Sequence, residues 1–246
     1  MSNTTYGNKL MSLGLGLVAS TMFAMAPTAA SAQALSPAQQ AIAPIAAATS
    51  LGDIPQLNAA LNQGLDAGLT VSDAKEVLVQ LYAYAGFPRS LNALGELMKV
   101  LEVRKQRGIK DAAGRNPSRP LPVGKDLLAL GTANQTKLSG APVRGPLFEF
   151  APQVDEYLKS HLFGDIFGRD NLDWQSREVA TVSALAAMSG VESQLQSHIR
   201  ISMNTGLTGA HLRQLADVLT ERGQPEAARR THAAIQQVLP SQEAEK

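Results

Sequence analysis

The sequence contains no cysteine among its 246 residues. Disulfide bonds and thiolate chemistry supplied by this chain are therefore excluded. Exported proteins often depend on disulfides, so an exported chain without them must bury a core large enough to be stable unaided.

Histidine is also scarce, and the numbers of basic and acidic residues are nearly equal. The four histidines show neither an HExxH motif nor another recognised short metal-ligand spacing, and 22 basic residues face 21 acidic ones. We expect no cofactor and no metal. Nothing in the charge balance points to nucleic acid as a partner.

The N-terminus has the pattern of a secretory signal peptide. Lys9 precedes an apolar run that ends in the small residues Ala30-Ser31-Ala32. We expect residues 1–32 to be removed and a periplasmic or secreted chain to begin at Gln33, with no membrane contact after cleavage. The alternative is an uncleaved anchor.

Aromatic residues are few, with one Trp, four Tyr and six Phe, and alternating strand-like runs are absent. Alanine and leucine dominate instead. Apolar residues recur at three and four positions, as in REVATVSALAAM (177–188) and HLRQLADVL (211–219). This spacing predicts an all-α fold.

The chain also resembles itself. LNAALNQGLDAGLT (57–70) aligns without gaps on LQSHIRISMNTGLT (195–208) at an offset of 138 residues, and GFP (86–88) aligns on GQP (223–225) at 137. We infer two tandem helical units that form a pseudo-dimer. The predicted boundaries are 33–107 for the first unit, 108–146 for a linker, 147–240 for the second unit and 241–246 for a tail.

Residues that end and begin helices recur at equivalent positions in the two copies, which supports the duplication. Gly68 and Gly206 suit left-handed helix ends, while Thr70 and Thr208 suit the N-caps that follow them. The linker is rich in glycine, proline and basic residues and has the pattern of one helix over 124–137.

Three stretches resemble the carboxymuconolactone decarboxylase family and its alkylhydroperoxidase D-like relatives. They are HLFGDIFGRDNLDWQSREVATVSALAAM (161–188), QLQSHIRISMNTGLT (194–208) and YAYAGFPRSLNAL (82–94). The resemblance implies an all-helical fold, assembly as a homo-oligomer (a trimer or a hexamer) and pockets near subunit contacts. It implies a fold more firmly than a reaction.

The redox branch of the family places a Cys-x-x-Cys before its histidine. Counting back from His198 puts those positions at Val191 and Gln194, which cannot form thiolates. A dithiol peroxidase (peroxiredoxin-type) activity is therefore not expected. The decarboxylase branch needs no thiol, and its histidine matches His198.

The resemblance implies three catalytic candidates. His198 would be the proton donor or acceptor, since imidazole titrates near neutral pH. Glu178 would hold the imidazole if its helix packs on that of His198, and Gln194, one turn before His198, could orient the ring or a substrate oxygen. The structural alternatives are a packed helix histidine and a glutamate that stabilises a helix N-terminus.

Five further residues are substrate-binding candidates: Arg200, His232, Tyr82, Tyr84 and Phe87. Arg200 matches the family's His-x-Arg, although it points about 200° around the helix from His198. The aromatics occur only in the first copy, whereas the second copy has His198 where the first has Ala60. We therefore expect one composite pocket, with its acid/base residue from the second copy and its apolar wall from the first.

Two functional interpretations remain open. In the first, the protein is a carboxy-lyase-like enzyme that decarboxylates or isomerises a small carboxylated lactone or related organic acid. In the second, it is a non-catalytic small-molecule-binding protein or structural oligomer of the same fold.

Overall fold

The computed structural model describes residues 1–3 and 34–239. Most of the predicted signal peptide and all of the predicted tail lie outside these residues. The described residues from 34 onward belong to one compact unit. None of the described helices has the length and hydropathy needed to cross a bilayer.

Within the described residues the secondary structure is helical, with no strand, which confirms the all-α prediction. The first copy contains α1 (Pro37–Leu51), α2 (Ile54–Asp66), α3 (Val71–Gln80), α4 (Tyr82–Ala85) and α5 (Phe87–Gln106). The predicted linker contains α6 (Lys125–Ser139), and α7 (Pro146–Phe150), α8 (Pro152–Tyr157) and a π-helix (Leu158–Ile166) cover the start of the predicted second unit. The second copy contains α9 (Trp174–Ala187), α10 (Glu192–Asn204), α11 (Gly209–Glu221) and α12 (Pro225–Val238).

Four helices of one copy correspond to four of the other. The pairs are α1 with α9, α2 with α10, α3 with α11 and α5 with α12, and their first residues are 137 or 138 positions apart. The duplication inferred from the sequence is therefore repeated in the order and spacing of the helices. The predicted arrangement of two tandem helical units is confirmed.

The helix ends match between the copies for a physical reason. Gly68 and Gly206 have φ angles of +93° and +100°, a region that favours glycine because it has no Cβ. Thr70 and Thr208 then accept a hydrogen bond from the backbone N–H three residues later and cap α3 and α11. These local rules turn the chain at equivalent points in each copy.

The two copies meet along α1 and α9, which pack against each other. Every residue of α9 from 176 to 187 is buried, and so is every residue of α1 from 42 to 50. A helix buried on all sides is apolar unless its polar residues find partners inside the protein.

Glu76, Arg169 and Arg177 form the ionic cluster that joins the copies. Glu76, on α3, accepts hydrogen bonds from Arg169 Nη2 (2.6 Å) and Arg177 Nη2 (3.1 Å). Arg177 is fully buried on α9. Burial raises the pKa of Glu76, but hydrogen bonds from Arg169, Asn171 and Arg177 outweigh it and hold the pKa below its ordinary value.

α6 packs closely against the π-helix. A Cβ added to Gly131 on α6 would lie 1.6 Å from the carbonyl oxygen of Lys159, so the two backbones approach at a point where only glycine fits. The helix predicted over 124–137 is present as α6. The π-helix has no counterpart in the sequence-based prediction.

We predict that Glu76→Gln lowers the free energy of unfolding at pH 7 by about 3 kcal/mol, because it leaves two buried or partly buried guanidinium groups without their carboxylate. The pKa of Glu76 is depressed in the folded state, so its stabilisation is present above the unfolded-state pKa of about 4.3 and is lost as pH falls through the folded-state value. The difference between wild type and variant should therefore shrink below about pH 4.

Urea unfolding at pH 7 and at pH 3.5 measures this difference. Glu226→Gln is the matched control, because Glu226 pairs with Arg229 on the exposed surface of α12 and should change stability little at either pH. A stability difference that grows as the pH falls would contradict the assignment.

Candidate functional site

His198 lies on the buried face of α10. Its neighbours on that face are Leu195, Ile199 and Ser202, at the three- and four-residue spacing of a helix that packs on one side. α10 packs against α9. The imidazole therefore points into the second copy and not into bulk solvent.

Glu178 meets this imidazole from α9. The carboxylate is fully buried, and its Oε2 atom lies 2.8 Å from His198 Nδ1. With Glu178 ionised, the carboxylate can only accept a hydrogen bond, so Nδ1–H is the donor in this contact. Nε2 is then the ring nitrogen left for another partner.

The second carboxylate oxygen and the second ring nitrogen of this pair have no hydrogen-bond partner among the described residues. Glu178 Oε1 is buried without a hydrogen-bond partner in the described residues, and His198 Nε2 forms no hydrogen bond to them. The His198 side chain is 10% exposed. The carboxylate is thus directed at the imidazole, and the ring keeps a narrow contact with the surface.

Tyr84 brings the first copy to the site. Its ring stands edge-on to the His198 ring, with centroids 5.6 Å apart and planes at 81°. Its hydroxyl oxygen is buried. Burial raises the pKa of Tyr84 well above its usual range, and the charge of Glu178 raises it further, so the phenol stays protonated.

The other predicted aromatics lie farther out. Tyr82 and Phe87 stack on each other with centroids 4.2 Å apart, and Phe87 is exposed. Tyr82 also faces the ring of His161, whose Nδ1 lies 2.6 Å from Asp165 on the surface. The aromatic stretch therefore divides into Tyr84, which touches the imidazole, and an outer Tyr82–Phe87 pair.

Three predicted site residues do not join this group. The side chains of Gln194, Arg200 and His232 are exposed. Gln194 Oε1 accepts a hydrogen bond from Ser193 Oγ, so the orienting partner of the ring is Glu178 and not Gln194. Position 194 lies in the first turn of α10, where residues 192 to 194 are exposed.

The equivalent place in the first copy is a cleft of about 250 Å³. Ala60, the counterpart of His198, lines it together with Glu221 and Arg222 from the second copy. In each place, a position on one copy lies beside a corner of the other copy. His198 lies beside the α3–α5 corner of the first copy, and Ala60 lies beside the α11–α12 corner of the second. The two places differ in their side chains: one has the imidazole of His198 and the phenol of Tyr84, and the other has the methyl group of Ala60 beside Glu221 and Arg222.

Two larger clefts, each of about 340 Å³, lie elsewhere, and His198 lines neither of them. The first extends from Ser36 to Ser176 and the second from Arg115 to Trp174. Among the residues that the structure describes, no three His, Asp or Glu side chains are grouped as metal ligands would be.

Comparison with known proteins identifies the family. The sequence model of the carboxymuconolactone decarboxylase family matches residues 17–98 and 152–237. The chain belongs to the carboxymuconolactone decarboxylase family. No curated protein matched this chain. The double match places one family unit over each helical copy, and the resemblance inferred from the three motifs is confirmed.

In this member of the carboxymuconolactone decarboxylase family, the motifs named Glu178 and His198, and the packing of α10 on α9 brings the two side chains into contact. Their catalytic roles stay predictions. No separate motif pointed to the ionic cluster, although Arg177, next to Glu178 in the same motif, was a charged residue in an alanine-rich helix. Trp174 was a second missed residue, and its being the only tryptophan was the available signal.

We predict that the His198 ring is held with its proton on Nδ1. Long-range ¹H–¹⁵N correlation spectra at pH 8 should show a protonated Nδ1 and a bare Nε2, because Glu178 accepts only at Nδ1. In Glu178→Ala the ring should shift toward the Nε2–H form. A wild-type ring protonated mainly on Nε2 would contradict the hydrogen bond.

The matched control is Glu192→Ala, which removes an exposed carboxylate from the same helix as His198. It should leave the ring spectrum unchanged.

Proposed function

We propose that the exported chain is a thiol-independent acid/base catalyst that decarboxylates or isomerises a small carboxylated lactone or related organic acid. His198 is the proton carrier and Glu178 positions it. The observation that carries the proposal is the buried 2.8 Å contact between His198 Nδ1 and Glu178 Oε2.

The chemistry follows from the two nitrogen atoms of the ring. Removal of a proton or of CO₂ beside a carbonyl leaves an electron pair on carbon that is delocalised as an enolate. In the isomerisation, Nε2 of the neutral ring takes the proton from one carbon and returns it to another. In the decarboxylation, the ring begins as the imidazolium and Nε2–H delivers its proton to the carbon that CO₂ leaves, after which solvent reprotonates the ring. Glu178 stabilises the imidazolium form throughout and keeps the ring oriented.

The surroundings suit proton transfer more than ionic binding. Tyr84 and α9 exclude most water from the ring, which strengthens the interaction between Glu178 and the imidazolium. The chain has no cysteine, so a dithiol reaction is not available at this place.

The second candidate is a non-catalytic member of the same fold that binds a small molecule or serves as a structural oligomer. Two observations favour it. Arg200, the expected carboxylate-binding cation, is exposed away from the ring, and the imidazole has only a narrow contact with solvent. In this case the His198–Glu178 pair is a satisfied polar contact of the core.

The test is proton exchange on small γ-lactones that carry a carboxylate, followed by NMR in D₂O together with CO₂ release. We expect wild type to be active and His198→Ala to lose about 10²- to 10⁴-fold in kcat, the usual contribution of general acid–base catalysis. Glu178→Gln should lose less, because the ring stays in place but the imidazolium loses its counter-charge.

Ser197→Ala is the matched control, since Ser197 is an exposed neighbour on α10. Equal rates for wild type and His198→Ala would refute the enzymatic proposal. If the same lactones raised the melting temperature without being altered, the binding role would hold instead.

We also propose that the protein is a homo-oligomer. Phe87, Leu91 and Met98 form an exposed apolar stripe on α5, and Leu147, Phe150, Val154 and Tyr157 form another on α7 and α8. Exposed apolar stripes of this kind are typical of subunit contacts. Light scattering during size-exclusion chromatography should give a particle mass that is a multiple of the mass of one chain, which is 26.0 kDa for the full sequence. Leu91→Glu should reduce the particle mass. A monomeric wild type would contradict the proposal.

A further inference from the structure

A second cleft lies between the loop that precedes α6, α6 itself and the segment that leads into α9. We call it the cationic cleft and define it by Arg115, Arg119, Lys137, Phe167 and Trp174. Its volume is about 340 Å³, within the range of small-ligand sites. It shares no lining residue with the His198 site.

Two cations of the cleft, Arg119 and Lys137, have neither a hydrogen-bond partner nor an ion-pair partner among the described residues. Arg115 donates a hydrogen bond to the backbone oxygen of Asp170, and Arg169 is bound by Glu76. The two carboxylates at the cleft are already engaged. Asp170 accepts from the backbone N–H of Ser118 at 2.8 Å, and Asp173 accepts from the backbone N–H of Ser176 at 2.8 Å.

The wall of the cleft is aromatic and held in place. Trp174 Nε1 donates a hydrogen bond to the backbone oxygen of Phe167 at 2.9 Å, which fixes the indole. Lys137 Nζ lies 5.2 Å from the centroid of the indole ring. A cation held over an aromatic face, in a cleft that also contains the unpaired guanidinium of Arg119, suits a ligand that is both flat and negatively charged.

We propose that the cationic cleft binds a small planar organic anion of the aromatic carboxylate class. The carboxylate pairs with Arg119 and Lys137, and the ring of the ligand lies along Trp174. Planarity follows from the fixed indole, and the negative charge follows from the unpaired cations. The proposal does not depend on the activity proposed for His198.

Geometry separates the two sites along α9. Trp174 lies one helical turn before Glu178, and both Trp174 and Tyr84 pack at the edge of a small apolar cluster that includes Phe163, Phe167 and Ile201. A ligand in the cleft therefore contacts one edge of this cluster, at Phe167 and Trp174, while the imidazole meets another edge through Tyr84.

The single tryptophan makes the test specific. Trp174 is the only Trp in the chain, so a change in its emission reports on this cleft. Titration with benzoate should change the emission saturably, and added NaCl should weaken binding. Lys137→Gln and Arg119→Gln should each raise the Kd about tenfold, the usual effect of losing one charge-assisted hydrogen bond.

Matched probes and variants decide the outcome. Benzamide has the same ring without the charge and should bind more weakly, and inorganic phosphate has charge without a ring and should also bind more weakly. Lys105→Gln, an exposed lysine on α5, should bind benzoate like wild type, and so should His198→Ala.

Three results would overturn the proposal: equal binding of benzamide and benzoate, equal binding of phosphate and benzoate, or an unchanged Kd in both Lys137→Gln and Arg119→Gln. Loss of benzoate binding in His198→Ala alone would place the ligand at the other site. Calorimetric titration of Trp174→Phe, in which the aromatic wall is kept, provides a measurement that does not rely on fluorescence.

Discussion

The burial of α9 on every side forces its two charged residues to find partners inside the protein. Arg177 and Glu178 are adjacent, so their side chains point about 100° apart and cannot serve each other as a simple pair. Arg177 turns to Glu76 in the first copy, and Glu178 turns to His198 in the second. One dipeptide thus ties the two copies together and equips one of them with an imidazole–carboxylate pair. Neither residue could be lost without leaving an uncompensated group in the core.

The first copy shows what the same fold becomes without this constraint. At the positions that correspond to Glu178 and His198 it has Ala41 and Ala60, so both members of the pair are replaced by small apolar side chains. The α1 and α2 helices still pack, because alanine needs no partner. The space that would hold the imidazole is open as a cleft beside Glu221 and Arg222. Duplication therefore supplied two equivalent places, and the side chains present today make them chemically unlike.

Much of the architecture could be read from the sequence because it rests on local rules. The repeat offset, the glycines with positive φ and the threonine N-caps each depend on a few neighbouring residues, and the structure places them as expected. Helix starts at Phe87 and Pro225 follow from proline in the first turn. The π-helix could not be predicted, because it depends on the close approach of Gly131 to the backbone of Lys159, which is a tertiary contact.

The candidate site was predictable only in part, for a related reason. A motif fixes the order of residues along a helix but not how far that helix extends beyond its neighbour. His198 and Glu178 lie where α10 crosses α9, so they meet. Gln194 lies in the exposed first turn of α10, and Arg200 and His232 lie on outward faces. The comparison of copies showed a complementary loss, which is information about pairs of positions, and it named Tyr82, Tyr84 and Phe87 as one apolar wall. Tyr84 meets the imidazole, and the substrate-binding role of all three stays a prediction.

The arrangement of the two sites follows from what each kind of interaction requires of water. Glu178 strengthens a positive imidazole most where water is excluded, and the fully buried carboxylate meets that condition. The cations of the cleft have no such carboxylate and need solvent to remain charged without partners, so they lie on the open surface around Trp174. α9 passes from one environment to the other within a single turn, between residues 174 and 178. Its first turn faces a wet, positively charged cleft and its second turn a dry, negatively charged core position. The same helix therefore presents two environments to the two sites proposed for it, a partly exposed one at Trp174 and a fully buried one at Glu178.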